Sequence, residues 1–219
     1  MKINKLLTTY NLTKGNNRAI KYIVIHYVGA TGGAEENCKY FASEYVGSSA
    51  HYFVGHKGEV WQCVEDKDIA WHCGSSSGYK HTEARNANSI GIELCCRKDA
   101  NGKWYFEEAT YLSAIELVKE LMSKYNIPIG NVIRHYDVTG KVCPEPFVSN
   151  EGKHTWSGFK ADLTKKPICD NTPDSYASTA IDWAVSNGIL KGNGNGDYML
   201  HSAVTRQDML VFLYRAIGG

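Results

Sequence analysis

Two residues with metal-binding side chains, His135 and Cys143, lie eight positions apart in a stretch rich in turn residues. Gly140 lies between them and Pro144 follows the cysteine, which predicts a loop that folds the thiol back toward the imidazole. Imidazole and thiolate are ligands that zinc favours. A site needs a third ligand, and we expect it to be His26. A His/His/Cys set leaves one tetrahedral position open, as in catalytic rather than structural zinc sites.

The two histidines each belong to, or directly follow, an apolar run that predicts a strand. Residues 22–28 are continuously apolar and rich in β-branched side chains, and His26 lies near the carboxyl end of this run. Residues 131–134 are predicted to form a short strand that delivers His135. Because open α/β sheets place their chemistry at the carboxyl ends of strands, we expect both imidazoles to point into one cleft. A lone histidine at a strand end is more often structural, and that alternative stays open.

Two charged residues are candidates for catalysis beside such a metal ion. Glu93 lies in a strand predicted over residues 89–95, where a carboxylate is costly unless it is paired, hydrogen-bonded or protonated. It lies either on an exposed strand face or in the cleft as a general base, and we favour the general base. Lys141 is either a solvated loop lysine or a cation that stabilises a tetrahedral oxyanion.

Three further residues, His51, His72 and Trp71, are candidates for substrate binding. His51 lies in a predicted strand, where it either packs or supports the site from behind. His72 follows Trp71 in the segment Ala-Trp-His-Cys-Gly and is expected to contact the substrate. Trp71 suits a core position and a cleft wall equally well.

The composition argues against several other functions. A formal net charge of +1 gives no basic field that would indicate nucleic-acid binding. No stretch approaches the roughly 18 apolar residues of a membrane span, so we expect no membrane insertion. The first ten residues contain positive charge but no apolar segment, and we expect no signal peptide. Seven cysteines at irregular spacings argue against a disulfide framework and for synthesis in a reducing compartment.

The order of apolar patterns predicts two domains, at residues 1–166 and 167–219, with a linker at Lys165-Lys166-Pro167. The first is predicted to be an α/β domain that begins with an irregular surface arm over residues 1–18. A hairpin is predicted from runs at 50–54 and 59–64, and helices are predicted at 35–45, 110–125 (with Thr110 as N-cap) and 156–163. The second is predicted to be a small all-α helix–loop–helix unit, with helices at 176–187 and 205–216. Such a unit is near the lower size limit for independent folding.

Several segments of the first domain carry a family resemblance when they are taken together. In chain order they are Ile23-Val24-Ile25-His26, Ser49-Ala50-His51-Tyr52, Gly58-Glu59-Val60, Ala70-Trp71-His72, Ser89-Ile90-Gly91-Ile92-Glu93, and the run from His135 to Pro144. The chain resembles the zinc-dependent N-acetylmuramoyl-L-alanine amidases of the peptidoglycan-recognition-protein and phage-lysozyme type. The likeness covers roughly residues 1–165.

This resemblance implies a fold, a metal and a reaction. The fold is a mixed central β-sheet flanked by helices, and one zinc ion per catalytic domain is held at the positions of His26, His135 and Cys143. The reaction is cleavage of the amide bond between the lactyl group of N-acetylmuramic acid and the L-alanine of the peptidoglycan stem peptide.

The resemblance also implies roles for the charged residues. Glu93 matches the general base and Lys141 matches the oxyanion-stabilising cation. Some phage members have a catalytic tyrosine directly before the histidine that matches His51, but this chain has Ala50 there. The resemblance therefore implies the glutamate form of the site. The family's usual Ala-Trp-His-Ala-Gly contains Cys73 here, which we expect to be tolerated.

The carboxyl-terminal part resembles an S-layer homology motif. The matching segments are Ala180-Ile181-Asp182-Trp183-Ala184-Val185, Asn187-Gly188-Ile189-Leu190-Lys191-Gly192 and Val204-Thr205-Arg206-Gln207-Asp208-Met209. The likeness implies binding to a secondary cell-wall polymer of Gram-positive bacteria, with Arg206 gripping an acidic sugar and Trp183 as a further contact. His201 replaces a customary proline, and one motif is present where three are usual. Self-association to a homo-oligomer is one way to restore three copies, and a small stabilising appendage is the alternative.

Together the two resemblances imply a lytic enzyme, a phage or prophage endolysin that acts on a Gram-positive wall. Such an enzyme is made in the host cytoplasm without a signal peptide and reaches the wall after release. A bacterial autolysin and a non-catalytic peptidoglycan-binding protein are the alternatives. Inactive recognition proteins of this type typically lack the cysteine ligand. The presence of Cys143 with Glu93 and Lys141 therefore favours an enzyme.

Overall fold

The computed structural model describes residues 1–15, 17–165, 171–192, 197–200, 202 and 204–218. The chain divides into two compact units, Met1–Thr164 and Lys165–Gly219. The predicted boundary between residues 166 and 167 lies outside the described residues, as do Cys169 and His201.

The first unit is built on a mixed β-sheet. Its strands in chain order are β1 (Ile3–Lys5), β2 (Leu12–Thr13), β3 (Tyr22–Tyr27), β4 (Tyr52–Val54), β5 (Val60–Gln62), β6 (Ile69–Ala70), β7 (Ser89–Leu94), β8 (Arg97–Lys98), β9 (Trp104–Tyr105) and β10 (Val132–Arg134). The six-stranded sheet has the order β1-β5-β4-β7-β3-β10, and β2 with β6 and β8 with β9 form small separate pairs. Within the large sheet β4 and β5 run antiparallel, while the neighbours β7, β3 and β10 run parallel. The carboxyl ends of these three strands therefore meet at one edge.

Helices cover both faces of this sheet. They are α1 (Ala34–Ser43), α2 (Glu108–Tyr125), α3 (His135–Thr139), α4 (Glu145–Ser149) and α5 (Trp156–Thr164). Side chains alternate across β3, so Ile23 and Ile25 pack in the main core with Leu117 of α2. On the opposite face, Cys38 of α1 packs against Phe53 of β4. This architecture confirms the predicted α/β fold with a mixed central sheet flanked by helices.

Most of the predicted elements are present, but the predicted N-cap of the long helix was wrong. The predicted hairpin is the antiparallel pair β4–β5. Helix α2 begins at Glu108, so Thr110 lies inside its first turn rather than at the cap. The Thr110 hydroxyl is buried and donates instead to the Gly55 carbonyl at 2.9 Å.

The predicted irregular arm at the amino terminus was also wrong. Residues Ile3–Lys5 form the edge strand β1, which pairs in parallel with β5, and Leu12–Thr13 pair with Ile69–Ala70. Ile3 packs against the main hydrophobic core, which explains why a short polar-looking segment joins the sheet.

The second unit contains the two predicted helices, α6 (Ser178–Ser186) and α7 (Arg206–Ala216). Thr205 caps α7 because its hydroxyl oxygen accepts a hydrogen bond from the Asp208 N–H at 3.1 Å. In the described part of this unit, Ile189 is the hydrophobic side chain that becomes buried. Among the described residues of the whole chain, no helix combines the length and apolar character that crossing a bilayer requires.

Candidate metal centre and catalytic site

The pairing register of three parallel strands brings the predicted site residues together. His26 in β3 is the direct partner of Glu93 in β7. Arg134 in β10 is the partner of Ile25, and therefore His135, the next residue, lies beside His26. The imidazole rings of His26 and His135 have centroids 4.7 Å apart. The sheet alone thus sets two of the three predicted ligands and the predicted base at one edge.

Cys143 returns to this edge through a short helix and a turn. Residues His135–Thr139 form α3, where the sequence predicted only a loop, because the Asp137 carboxylate accepts from the Arg134 N–H at its start. Gly140 ends the helix in the left-handed region with φ of 87°. The Tyr136 N–H then donates to the Cys143 carbonyl at 2.9 Å. The thiol sulfur ends 3.7 Å from His26 Nδ1.

The resulting cluster has the chemistry of a zinc site. One ligand atom from each of His26, His135 and Cys143 lies within 4.8 Å of the other two, and all three side chains are buried. His135 Nδ1 is a buried polar atom with no hydrogen-bond partner. An orphaned ring nitrogen beside a second imidazole and a thiol is what a tetrahedral His/His/Cys site requires, so these residues fit a zinc ion.

Burial sets the protonation of these three groups. It lowers the pKa of His26 well below 6.5 and lowers that of His135 to about 4. Both imidazoles are therefore neutral at physiological pH and offer lone pairs. Burial likewise raises the pKa of the Cys143 thiol to about 12. A cation in the cluster would supply the charge that a thiolate needs there, and its binding would release a proton.

Glu93 occupies the floor of the same cleft. Its Oε1 lies 3.9 Å from His26 Nδ1, and its side chain is 19% exposed. Its Oε2 has no hydrogen-bond partner. Burial raises the pKa of Glu93 to about 8, although the charge of Lys141 acts in the opposite direction. A carboxylate with its pKa near neutrality, at the edge of a metal cluster, suits a general base.

The cleft over these residues has a volume of about 250 Å³. Tyr27, Phe41 and Trp71 form part of its wall, and Lys141 lies at the side where a second groove begins. That groove shares His135 and Lys141 with the first and is otherwise lined by small and polar residues, Gly74, Ser75, Ser76, Ser77, Thr139 and Gly140. The cleft is therefore open enough for an extended substrate that passes across the metal cluster.

The three predicted substrate contacts have different positions. Trp71 lines the cleft, and its indole N–H donates to Thr13 Oγ1 at 2.9 Å. His72 also lines the cleft, and its Nδ1 lies 3.0 Å from His26 Nε2. His51 is fully buried, and its Nδ1 accepts from the Gly91 N–H at 3.0 Å. This burial corrects the expectation that His51 contacts substrate and favours the alternative of structural support.

Two residues behind the cluster were not singled out from the sequence. The Ser89 hydroxyl lies 3.1 Å from His72 Nε2. A Cβ atom at Gly91 would lie 2.4 Å from Cγ of the His72 ring. Strand alternation places both residues on the face of β7 that contains Glu93, and this alternation was the signal that could have found them.

The candidate wall-binding residues of the second unit do not share its cavity. Arg206 is exposed at the start of α7, and Trp183 is 56% exposed on α6. The cavity of about 270 Å³ in this unit is lined by other residues, including Tyr198, Val211 and Arg215. The roles predicted for Arg206 and Trp183 therefore stay predictions.

Comparison with known proteins connects this site to a family. A model of the N-acetylmuramoyl-L-alanine amidase family, Amidase_2, matches residues 16–146. The N-acetylmuramoyl-L-alanine amidase CwlL of Bacillus licheniformis is 33% identical over 188 residues, which cover 81% of this chain and 50% of CwlL. The N-acetylmuramoyl-L-alanine amidase BlyA of Bacillus subtilis is 33% identical over 195 residues, which cover 82% of this chain and 52% of BlyA. The chain spans about half the length of these curated relatives.

Comparison with solved structures supports the same fold. The structure of PlyL matches with a TM-score of 0.63 and 28% sequence identity, covering 75% of this chain and 98% of PlyL. The range that the family model matches, residues 16–146, includes all three residues of the candidate metal cluster.

Proposed function

Because this chain belongs to the N-acetylmuramoyl-L-alanine amidase family, we propose that it hydrolyses the amide bond between N-acetylmuramic acid and L-alanine in peptidoglycan. The observation that carries the proposal is the convergence of His26, His135 and Cys143 with Glu93 in one open cleft. An amide hydrolase needs an electrophilic centre, a base for water and a stabiliser for the oxyanion, and the cleft offers a candidate for each.

His26, His135 and Cys143 would hold the zinc ion. When bound there, zinc supplies Lewis-acid chemistry: it acidifies water and polarises the amide carbonyl. The neutral imidazoles need no proton loss to act as ligands, whereas the Cys143 thiol must lose its proton. The zinc affinity of the protein should therefore rise with pH.

Glu93 and Lys141 would carry the proton and charge chemistry. Glu93 takes a proton from the attacking water and later gives it to the departing amine of L-alanine, so that a lactyl carboxyl and a free amino group result. Lys141, at the junction of the two grooves, stabilises the negative charge that develops on the carbonyl oxygen.

The experiment that tests this proposal compares three preparations on purified peptidoglycan: the wild type, Cys143→Ser, and the wild type stripped of zinc. New N-terminal L-alanine is measured against new reducing sugar ends. Alanine termini from the zinc-loaded wild type alone support the proposal. Reducing ends would instead indicate a glycosidase. Wall binding without any product would indicate a non-catalytic peptidoglycan-binding protein.

We further propose that residues 167–219 attach the enzyme to the wall by binding a secondary cell-wall polymer. The exposed Arg206 and Trp183 offer a cation and an aromatic surface, which together suit an acidic sugar. To test this idea, we would measure binding of the wild type, Arg206→Ala and Trp183→Ala to cell walls before and after the secondary polymers are removed. Equal retention on stripped walls would contradict it, and sedimentation of the same samples would report any homo-oligomer.

In the cell, we propose an endolysin or autolysin role. An endolysin would be made in the cytoplasm and act on the wall after release. Lysis that depends on a membrane pore, when the chain is expressed inside a Gram-positive host, would support the endolysin; lysis without a pore would favour the autolysin.

A further inference from the structure

His72 lines the cleft and is also joined to the candidate metal cluster through hydrogen bonds. Its Nδ1 lies 3.0 Å from His26 Nε2, with the two ring planes perpendicular at 90°. Its Nε2 lies 3.1 Å from the Ser89 hydroxyl. That hydroxyl in turn donates to the Arg85 carbonyl at 2.7 Å. Four groups therefore form one continuous chain that ends on the ring of a proposed zinc ligand.

The hydrogens in this chain have one consistent arrangement. The Ser89 hydroxyl has a single hydrogen, which it gives to the Arg85 carbonyl, so toward His72 it can only accept. His72 Nε2 must then be the protonated nitrogen, and the Ser89 main-chain carbonyl is a second acceptor beside this ring. A neutral imidazole has one N–H, which leaves His72 Nδ1 as an acceptor.

This arrangement of hydrogens then determines the tautomer of the His26 ring. Because His72 Nδ1 accepts, His26 Nε2 must be the donor in the 3.0 Å contact between the rings. The other nitrogen, His26 Nδ1, is left with its lone pair. It is the nitrogen that lies 3.7 Å from the Cys143 sulfur, on the side of the predicted metal.

Neighbouring residues constrain the placement of His72. The residue is 9% exposed, and its ring lies over Gly91, where a Cβ would lie 2.4 Å from its Cγ. Only glycine at this point of β7 leaves room for the ring. The His72 and Cys73 N–H groups both donate to the Asn86 side-chain oxygen, at 3.2 and 2.8 Å, which fixes the backbone.

We propose that His72 is a positioning residue that fixes His26 in the Nε2–H tautomer and so presents the His26 Nδ1 lone pair to zinc. This inference rests on the proposed function only in taking His26 as a metal ligand. It gives His72 a role beyond the substrate contact that the sequence predicted, which stays a prediction. Ser89 acts through His72, since it offers acceptors to a proton on His72 Nε2.

The first test is the tautomer of His26 in the wild-type protein without zinc. Long-range ¹H–¹⁵N correlation spectra distinguish a protonated from an unprotonated ring nitrogen. We expect His26 to be protonated at Nε2 and unprotonated at Nδ1, and His72 likewise. A proton on His26 Nδ1 would overturn the proposal, whatever the variants below show.

The second test measures zinc affinity by competition with a chromophoric chelator. His72→Leu removes the acceptor, and we expect an affinity loss of about 10- to 100-fold, the usual effect of losing a hydrogen-bond partner of a metal ligand. His72→Asn returns an acceptor oxygen near the Nδ1 position and should restore most of the affinity and the His26 tautomer. The matched control is His154→Asn, because His154 stacks on Tyr111 away from the cluster. It should leave zinc affinity unchanged.

Two outcomes contradict the proposal. The first is unchanged zinc affinity in His72→Leu, and the second is an equal loss in folded His72→Leu and His72→Asn, which would indicate packing alone. If His72→Leu does not fold, the tautomer of His26 in the wild type still decides, because a proton on His26 Nδ1 contradicts the proposal. None of these readouts requires hydrolysis. Absence of amidase activity with intact zinc binding would therefore contradict the proposed function and leave this inference standing.

Discussion

The two units differ in what they bury. The first encloses three clusters of buried apolar side chains. It also buries the side chains of His26, His51 and His72, which are at most 9% exposed. In the described part of the second unit, large apolar side chains lie at the surface instead. Trp183 is 56% exposed and Leu210 is 66% exposed. The first unit therefore buries ionisable side chains, whereas the described part of the second unit exposes apolar side chains.

This difference agrees with the two functions that we propose, chemistry for the first unit and attachment for the second. Burying imidazoles and a carboxylate is costly unless they are hydrogen-bonded or will bind a metal ion, so the first unit uses core stability to hold a reactive arrangement. The second unit buries little by itself, and its exposed side chains suit binding to a large, fixed partner. We therefore expect substitutions in the first unit to change chemistry, and those in the second to change attachment.

The largest expected contrast is between Cys143→Ser and Trp183→Ala. Cys143→Ser replaces the thiol that we propose as a zinc ligand with a poor ligand. We therefore expect both hydrolysis of a soluble N-acetylmuramoyl peptide and the zinc content to fall below detection. Trp183→Ala should leave this soluble activity unchanged. Release of L-alanine termini and zinc content measured on the same samples check both expectations. A loss of soluble activity in Trp183→Ala would break the separation between the units.

Glu93→Gln sharpens the contrast within the first unit. It removes the base but keeps the size of the side chain, so we expect kcat to fall by about 10²- to 10⁴-fold while zinc stays bound. Glu151→Gln is the matched control, because Glu151 is a surface carboxylate paired with Lys103 at 2.8 Å. Near-normal kcat in Glu93→Gln would show that another group takes the proton.

The sequence predicted those parts of the fold that follow from local apolar patterns, such as buried strands. The apolar run before His26 predicted a buried strand, and parallel pairing of β3, β7 and β10 follows from such runs. The direct pairing of His26 with Glu93 depends on register, which no local pattern gave. Residue type and strand ends were enough to pick out the candidate ligands His26 and His135, whereas their arrangement in space depends on the sheet.

Other features depend on contacts that are distant in the sequence. The pairing of β1 with β5 joins residues more than fifty positions apart, and the polar composition of the first residues concealed it. Likewise, His72 lies under His26 only because Gly91 leaves space and Ser89 supplies an acceptor. The sequence predicted the cleft position of His72, which the structure has, but nothing local indicated its partners Ser89 and Gly91.

Removing the second unit tests whether the first depends on it. A chain that ends at Lys165 keeps the whole described core of the first unit, so we expect it to fold and to cleave soluble substrate at nearly the wild-type rate. On intact walls at low concentration its rate should fall by about tenfold or more, because linked binding sites raise avidity. Circular dichroism and turbidity loss measure the two effects. An unfolded truncated chain would show that the two units are not independent.

The smallest expected effect concerns acid stability of the zinc-free protein, and it also belongs to the first unit. Burial lowers the pKa of His135 to about 4 and that of His51 to about 3, and it lowers those of His26 and His72 well below 6.5. The unfolded chain therefore takes up protons first as the pH falls below about 6.5. Each histidine then removes at most about 1.4 kcal/mol of stability per pH unit, until the pH reaches its folded pKa.

Glu93 acts in the opposite direction, and this opposition makes the prediction specific. Burial raises its pKa to about 8, so between pH 8 and about 4.5 the folded state retains a proton that the unfolded state loses. Its contribution to stability therefore rises as the pH falls, against that of the buried histidines. We expect the urea midpoint of the zinc-free wild type to fall between pH 7 and pH 5.5, and that of Glu93→Gln to fall further over the same interval. Because Gln cannot titrate, an identical pH slope in the two proteins would show that Glu93 is ionised in the folded cleft.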